Sequence, residues 1–254
     1  REEDRYLPNL PELRRLATSG TKLIAINNPN NPTGALMDRE FLLAVAEIAR
    51  ACDAWLLCDE VYRGTDQQGS GSTDAIVDLY EKGISTAGLS KAFSLAGLRL
   101  GWIAAPSEVI RAVSVHRDYN TISVGMIDDY FAAMALEHRD KILARAQAIT
   151  RTNLAILDHW LAGEPLLSYL KPQSGTTALL KLHLAMPSRD FCLGLIKETG
   201  VMLTPGSAMD MEGHLRIGYA CATEVLREGL SRISGFSKGL GQESDGETPG
   251  VGGV

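Results

Sequence analysis

The sequence predicts an α/β layer followed by a smaller α+β unit. Three observations carry this prediction. Short apolar runs at residues 22–26, 54–58, 83–87 and 100–104 read as strands of a mostly buried sheet. Between the first two lies "DREFLLAVAEIARA" (38–51), whose apolar positions recur at helical spacing. From there the helical pattern returns over 128–161, and then the texture changes to shorter alternating runs.

Each element has a local reason. Asp38 stands where a helix start needs a side-chain acceptor, so the 38–51 helix begins there. Strands alternating with helices imply βαβ units with right-handed crossovers over the first ~110 residues. The 128–161 stretch, rich in Ala, Leu and Ile, reads as one long helix joining two domains. Beyond it, "TTALLKLHL", "VMLTPG" and "HLRIGYA" read as strands, with helices at 188–199 and 222–233. The expected domains are residues 1–145, large, and 146–236, small. Residues 237–254, "SKGLGQESDGETPGVGGV", are polar, Gly-rich and aperiodic, and read as a disordered tail.

Composition excludes several function classes. The net charge is -6 with no basic stripe, so neither nucleic acid nor an anionic membrane surface is an expected partner. Apolar runs fall far short of the ~18 residues that a spanning helix needs. The four cysteines form no CxxC pair, which suits a reduced, cytoplasmic chain, and five scattered histidines predict no metal site.

Four stretches carry candidate chemistry. "NPNNPTG" (28–34) places two Asn-Pro steps after a strand, at the sheet edge where open α/β folds bind ligands. Such a turn fixes backbone angles, and it also aims a side chain, here the amide of Asn31. "CDEVY" (58–62) puts Asp59 at the end of the next strand. "GLSKAFSLAGLRLGW" (88–102) puts Lys91 just past a strand, with Arg99 eight residues on. "GHLRIGYA" (213–220) sets Arg216 between Leu215 and Ile217, so its side chain points opposite theirs. Taken singly, each is an ordinary capping, loop or surface residue.

Together and in this order, the four resemble the fold-type I pyridoxal-phosphate enzymes. More narrowly, they resemble the class I/II aminotransferases of the aspartate aminotransferase family, over residues 6–236. The resemblance implies a large domain with a mostly parallel sheet covered by helices on both faces, and a smaller α+β domain. It implies pyridoxal 5'-phosphate as cofactor, α-amino acids and 2-oxo acids as substrates, and a homodimer. Lys91 then matches the Schiff-base lysine that moves the Cα proton. Asp59 matches the partner of the pyridine nitrogen. Tyr62 and Asn31 match the pair that donates to the cofactor's phenolic oxygen, with Asn31 also near substrate. Val61 packs on the ring. Arg99 anchors the phosphate, with Ser90 adjacent, and Arg216 grips the substrate α-carboxylate in a charge-assisted fork.

Two departures stand out. Gly88 occupies a position where many relatives have a phosphate-binding Ser or Thr. The region that precedes Tyr6 in the family is missing, so the chain reads as lacking its N-terminal third. On that reading the strand edges near 22–26 and 54–58 lose neighbours, and residues 1–254 alone bind the cofactor poorly. Other outcomes on the same cofactor stay open: a lyase, a cyclising synthase or an arginine oxidase. The pair Asp128-Asp129, with Tyr119-Asn120, bears on this, since acidic residues suit a cationic substrate and equally suit a helix start. A third reading is the cofactor-sensing domain of a transcription regulator.

Overall fold

A computed structural model describes residues 1–69 and 71–246, with side chains up to residue 240. The chain divides into two compact units. The first is Arg1–Arg151 with Leu170–Thr177; the second is Thr152–Tyr169 and the chain from Ala178 onward. This replaces the expected boundary after residue 145. The segment Leu170–Thr177 returns to the first unit, a long-range pairing that no local pattern announces.

The first unit is built on a four-stranded sheet in sequence order. Strands β1 (Leu23–Asn27), β2 (Trp55–Asp59) and β3 (Gly83–Gly88) run parallel, and β4 (Gly101–Ala104) closes it antiparallel to β3. Helix α1 (Leu10–Leu16) is capped by Asn9, which accepts from Glu12 N at 2.9 Å. Helix α2 (Arg39–Ala51) starts where the sequence places it, with Asp38 accepting from Phe41 N at 2.9 Å. Its buried face is Leu42, Val45, Ala46 and Ala49, the i, i+3, i+4, i+7 stripe of an amphipathic helix. That stripe packs with Ile24, Leu56 and Ile76 in one apolar core. The short α3 (Ile76–Leu79) draws its N-terminal acceptor from Glu60, which takes Ile76 N at 2.7 Å and Ser85 Oγ at 2.8 Å.

Two expectations are corrected here. Strand β2 has a partner on both sides, so the 54–58 run is interior; β1 and β4 are the outer strands among the described residues. The 128–161 pattern is not one helix. After α4 (Ser107–Arg117), α5 (Met126–Glu137) ends at His138, whose backbone at φ -104° and ψ 20° leaves the helical region, and α6 (Arg139–Leu161) begins afresh. Apolar periodicity carries across a one-residue break that has neither Pro nor Gly, so the sequence pattern runs on.

The second unit holds a four-stranded sheet in the order β5 (Leu167–Tyr169), β6 (Thr177–Leu182), β8 (His214–Gly218), β7 (Thr204–Pro205). Its core gathers Leu157, Leu180, Phe191, Leu195, Leu215, Tyr219 and Ile233. Helix α7 (Ser188–Thr199) stops at Gly200, whose left-handed φ of 73° lets its N–H reach Ile196 O at 3.0 Å. Of the "VMLTPG" run, only Thr204–Pro205 joins the ladder. Helix α8 (Thr223–Gly246) overturns the expected tail over 237–246; residues 247–254 lie outside the described ones. Ile233, Phe236 and Leu240 extend the apolar stripe into the Gly-rich stretch, and Ser237 is buried. Packing there overrides poor helix propensity. Among the described residues, no helix is long and apolar enough to cross a membrane.

Candidate active site

The site begins at the carboxyl ends of the parallel strands. Asn27, the last residue of β1, pairs in register with Asp59, the last of β2, and Asp59 with Thr86 of β3. Asn27 Nδ2 donates to Asp59 O at 2.8 Å, and its Oδ1 accepts from Asn31 N at 2.8 Å. The 28–34 turn is thereby stitched to the strand end. Its base closes through Asn28, which donates to Met37 O at 3.0 Å and accepts from Met37 N at 2.8 Å. Both Asn28-Pro29 and Asn31-Pro32 bonds are cis. Gly34, at φ 69°, could not carry a side chain, because a Cβ there would lie 2.4 Å from Pro172 Cβ and 2.8 Å from Ser174 O.

This turn brings two predicted residues together. Asn31 Nδ2 donates to the Tyr62 phenol oxygen at 3.2 Å, and Tyr62 is 4% exposed. Asp59, half-buried, accepts from Val61 N at 3.1 Å, which folds the chain between Asp59 and Tyr62 into a tight Asx turn. Val61 and Gly88 both line a cavity of about 560 Å³ that Glu60, Phe93, Trp102 and Arg139 also reach.

The remaining residues of the first unit sit in the connection from β3 to β4. Ser90 is half-buried, and Lys91 and Arg99 are exposed. Arg99 adopts a left-handed backbone at φ 49° and donates from Nη1 to Ala96 O at 2.9 Å, closing the short 3-10 turn Ala96–Leu98. Gly88 faces Gly101 across the β3–β4 pair. A Cβ there would meet Leu100 O at 3.1 Å and Gly101 Cα at 3.3 Å, so the backbones leave little room for a hydroxyl-bearing side chain. Arg216 belongs to the second unit. Leu215 and Ile217 beside it are buried, and its Nη2 donates to Thr204 Oγ1 on the neighbouring strand at 3.1 Å.

Some buried polar residues here carry no sequence signal. Glu60 is 4% exposed, and burial pushes its carboxyl up, against the pull of Ile76 N and Ser85. Asp66 is 6% exposed and is likewise raised by burial, against its hydrogen bond from Ser174 and the charges of Arg151 and Arg63. Thr65 and Ser174, distant in sequence, meet at 3.2 Å. Among the described residues, no three His, Cys, Asp or Glu side chains gather as a metal ion would require.

The donor set fits one cofactor. Two neutral donors, Asn31 and Tyr62, converge within 3.2 Å of each other, as a shared anionic oxygen would need. Asp59 ends β2, and Lys91 and Arg99 lie in the connection from β3 to β4: a carboxylate, an amine and a guanidinium, residue types that could hold a ring nitrogen, an aldehyde and a phosphate. The fold is that of the fold-type I pyridoxal-phosphate class. The comparisons then give the family: the model for "Aminotransferase class I and II" matches residues 2–233, and the chain belongs to that family, whose cofactor is pyridoxal 5'-phosphate.

The chain is similar to capreomycidine synthase of Streptomyces vinaceus, 29% identical over 99% of this chain and 64% of the relative. It is 32% identical to aromatic-amino-acid aminotransferase 2 of Thermococcus litoralis, over 91% of this chain and 61% of that protein. A solved pyridoxal-phosphate-dependent aminotransferase from Streptococcus suis superposes with a TM-score of 0.90 at 44% identity, covering 94% of this chain and 63% of that one. The chain thus spans 61% to 64% of the length of these relatives.

Proposed function

We propose that the protein is a pyridoxal-phosphate-dependent aminotransferase that moves an amino group between an α-amino acid and a 2-oxo acid. The observation that carries this reading is the convergence of Asn31 and Tyr62, 3.2 Å apart, beside Asp59 at the sheet's carboxyl edge. Bound there, pyridoxal phosphate supplies an aldehyde that captures amines and a ring that withdraws electrons from the substrate Cα.

The chain's own residues do the rest. Lys91 Nζ would hold the cofactor's aldehyde, and as a free amine it would accept the proton that leaves the substrate Cα. The Asp59 carboxylate keeps a proton on the ring nitrogen. Asn31 Nδ2 and Tyr62 O–H donate to the phenolic oxygen and fix the ring's rotation. Val61 covers one ring face. Arg99 and Ser90 hold the phosphate, since the crowded Gly88 supplies no hydroxyl. Arg216 takes the substrate α-carboxylate in a bidentate fork. A cytoplasmic homodimer is the assembly we assign.

The test is a single turnover of the holoenzyme with α-amino acids under anaerobic conditions. Transamination releases one 2-oxo acid per site without ammonia. Lys91→Ala should lose both the visible absorbance of bound cofactor and the turnover. An unchanged borohydride-trapped adduct in that variant removes Lys91 from the role.

A second reading keeps the cofactor and changes the outcome to a cyclising synthase, lyase or oxidase. The match to capreomycidine synthase along 99% of the chain favours it. Asp128 and Asp129 supply acidic groups for a cationic substrate, although both lie in the first turn of α5, where the helix dipole itself favours them. A cyclised product, or oxygen consumption with peroxide, would decide for that reading.

A further inference from the structure

A buried polar hub lies beneath Tyr62. Thr65 Oγ1 donates to Tyr62 O at 2.6 Å and accepts from Gly175 N at 2.9 Å. The Thr65 and Ser174 hydroxyls lie 3.2 Å apart, and Ser174 Oγ contacts Asp66 Oδ1 at 2.7 Å. Thr65 is 1% exposed and Ser174 is fully buried. The same returning segment grips the other side of the site. Gln173 N and Ser174 N donate to Gly34 O at 2.9 and 3.1 Å, at the end of the Asn31 turn. Thr177 Oγ1 reaches Asn31 Oδ1 and Pro32 O, each at 3.5 Å. One strip of chain is thus bonded to both loops whose side chains meet at the Asn31–Tyr62 contact.

We infer that Thr65 and Ser174 are positioning residues: they lock the Tyr62 loop to the Asn31 turn, and so set how strongly those two side chains donate to the cofactor's phenolic oxygen. This rests on the cofactor reading given above. The physical reason is local. A buried phenol sits wherever its backbone holds it, and the Tyr62 carbonyl is held by the Thr65 hydroxyl. Removing that hydroxyl takes one hydrogen bond from the Tyr62 carbonyl, which keeps only the longer one from Thr65 N at 3.2 Å, and one from Gly175 N, so the loop is held less firmly. A weaker pair of donors leaves more charge on the phenolic oxygen. More charge there holds the proton on the neighbouring lysine-linked nitrogen more tightly.

The experiment is a pH titration of the visible absorbance of the lysine-bound cofactor in the holoenzyme. Thr65→Val and Ser174→Ala should each raise the titration midpoint by about half a pH unit or more, roughly threefold in proton affinity. Thr65→Ser, which restores the hydroxyl, should return it to the wild-type value. A lowered melting temperature with an unmoved midpoint in both variants overturns the inference, because that is the signature of a merely structural hub. If Thr65→Val does not fold, Ser174→Ala decides alone. A wild-type protein that binds no cofactor at all fails the functional reading instead, and the two failures are distinguishable.

Discussion

Arg216 shows how a single side chain is placed for recognition. It lies in an alternating strand whose flanking residues, Leu215 and Ile217, are buried, so packing fixes which way it faces. Thr204, its register partner on β7, then takes one guanidinium N–H at 3.1 Å. On the proposed role, Arg216→Ala should raise KM for α-amino acids by roughly tenfold to over a hundredfold, the ~1.5–3 kcal/mol of a charge-assisted contact. Amines that lack the carboxylate should be little affected. Steady-state kinetics on both substrate types checks this, and equal losses would make Arg216 structural. At this scale the sequence offers candidates, because Asn31, Asp59, Tyr62, Lys91, Arg99 and Arg216 stand in recognisable motifs. It was silent on Glu60, Thr65 and Ser174. Their partners are long-range: Thr65 and Ser174 stand 109 positions apart, and nothing in "SGTT" distinguishes a hub from the start of a strand.

At the scale of elements, the β3–β4 pair is tightly constrained. Gly88 and Gly101 oppose each other, and an added Cβ at Gly88 meets a backbone oxygen at 3.1 Å. Gly88→Ser is therefore expected to destabilise the protein by about 1–3 kcal/mol through overpacking. It should not strengthen cofactor retention, despite restoring the hydroxyl that many relatives have. Thermal melting and cofactor dissociation, measured together, test the two halves of that statement. Helix α2 was legible because its cap and its stripe agree. The α5–α6 break was not, since His138 interrupts the backbone without interrupting the apolar pattern. Helix α8 misled in the opposite sense: glycines suggested disorder, while Phe236 and Leu240 kept packing on the core.

For the whole molecule, buried and exposed carboxyls pull the pH dependence of stability in opposite directions. The Arg50 guanidinium holds Glu81 down at about 2, and backbone donors at Ser188 and Gly213 lower Glu212. Their contributions are present above the unfolded carboxylate value and are lost as pH falls through the lowered one. Glu60 acts in reverse. Its folded value is raised by burial, so the folded state holds the proton more tightly than the unfolded chain, and stability declines as pH rises from the ordinary carboxylate value through the raised one. Glu60→Gln keeps an oxygen to accept from Ile76 N and Ser85 and removes the buried charge. Its melting temperature should fall less than wild type as pH rises above the ordinary carboxylate value. A parallel curve would show that Glu60 bears no such cost.

The hub beneath Tyr62 also has a proton inventory. Its chain of oxygens has three links: Asp66 to Ser174, Ser174 to Thr65, and Thr65 to the Tyr62 carbonyl. Each link needs one hydrogen, and the two hydroxyls bring two. If Asp66 is ionised, Ser174 turns its proton toward the carboxylate, and the Thr65–Ser174 contact is left as two facing lone pairs. If Asp66 carries a proton, all three links are filled and the chain runs one way, from the carboxyl to the carbonyl of the residue that bears the phenol. Burial drives Asp66 toward that state, while Arg63 and Arg151 oppose it. The Thr65–Ser174 contact is therefore the link that the two hydroxyls cannot fill by themselves while Ser174 donates to Asp66.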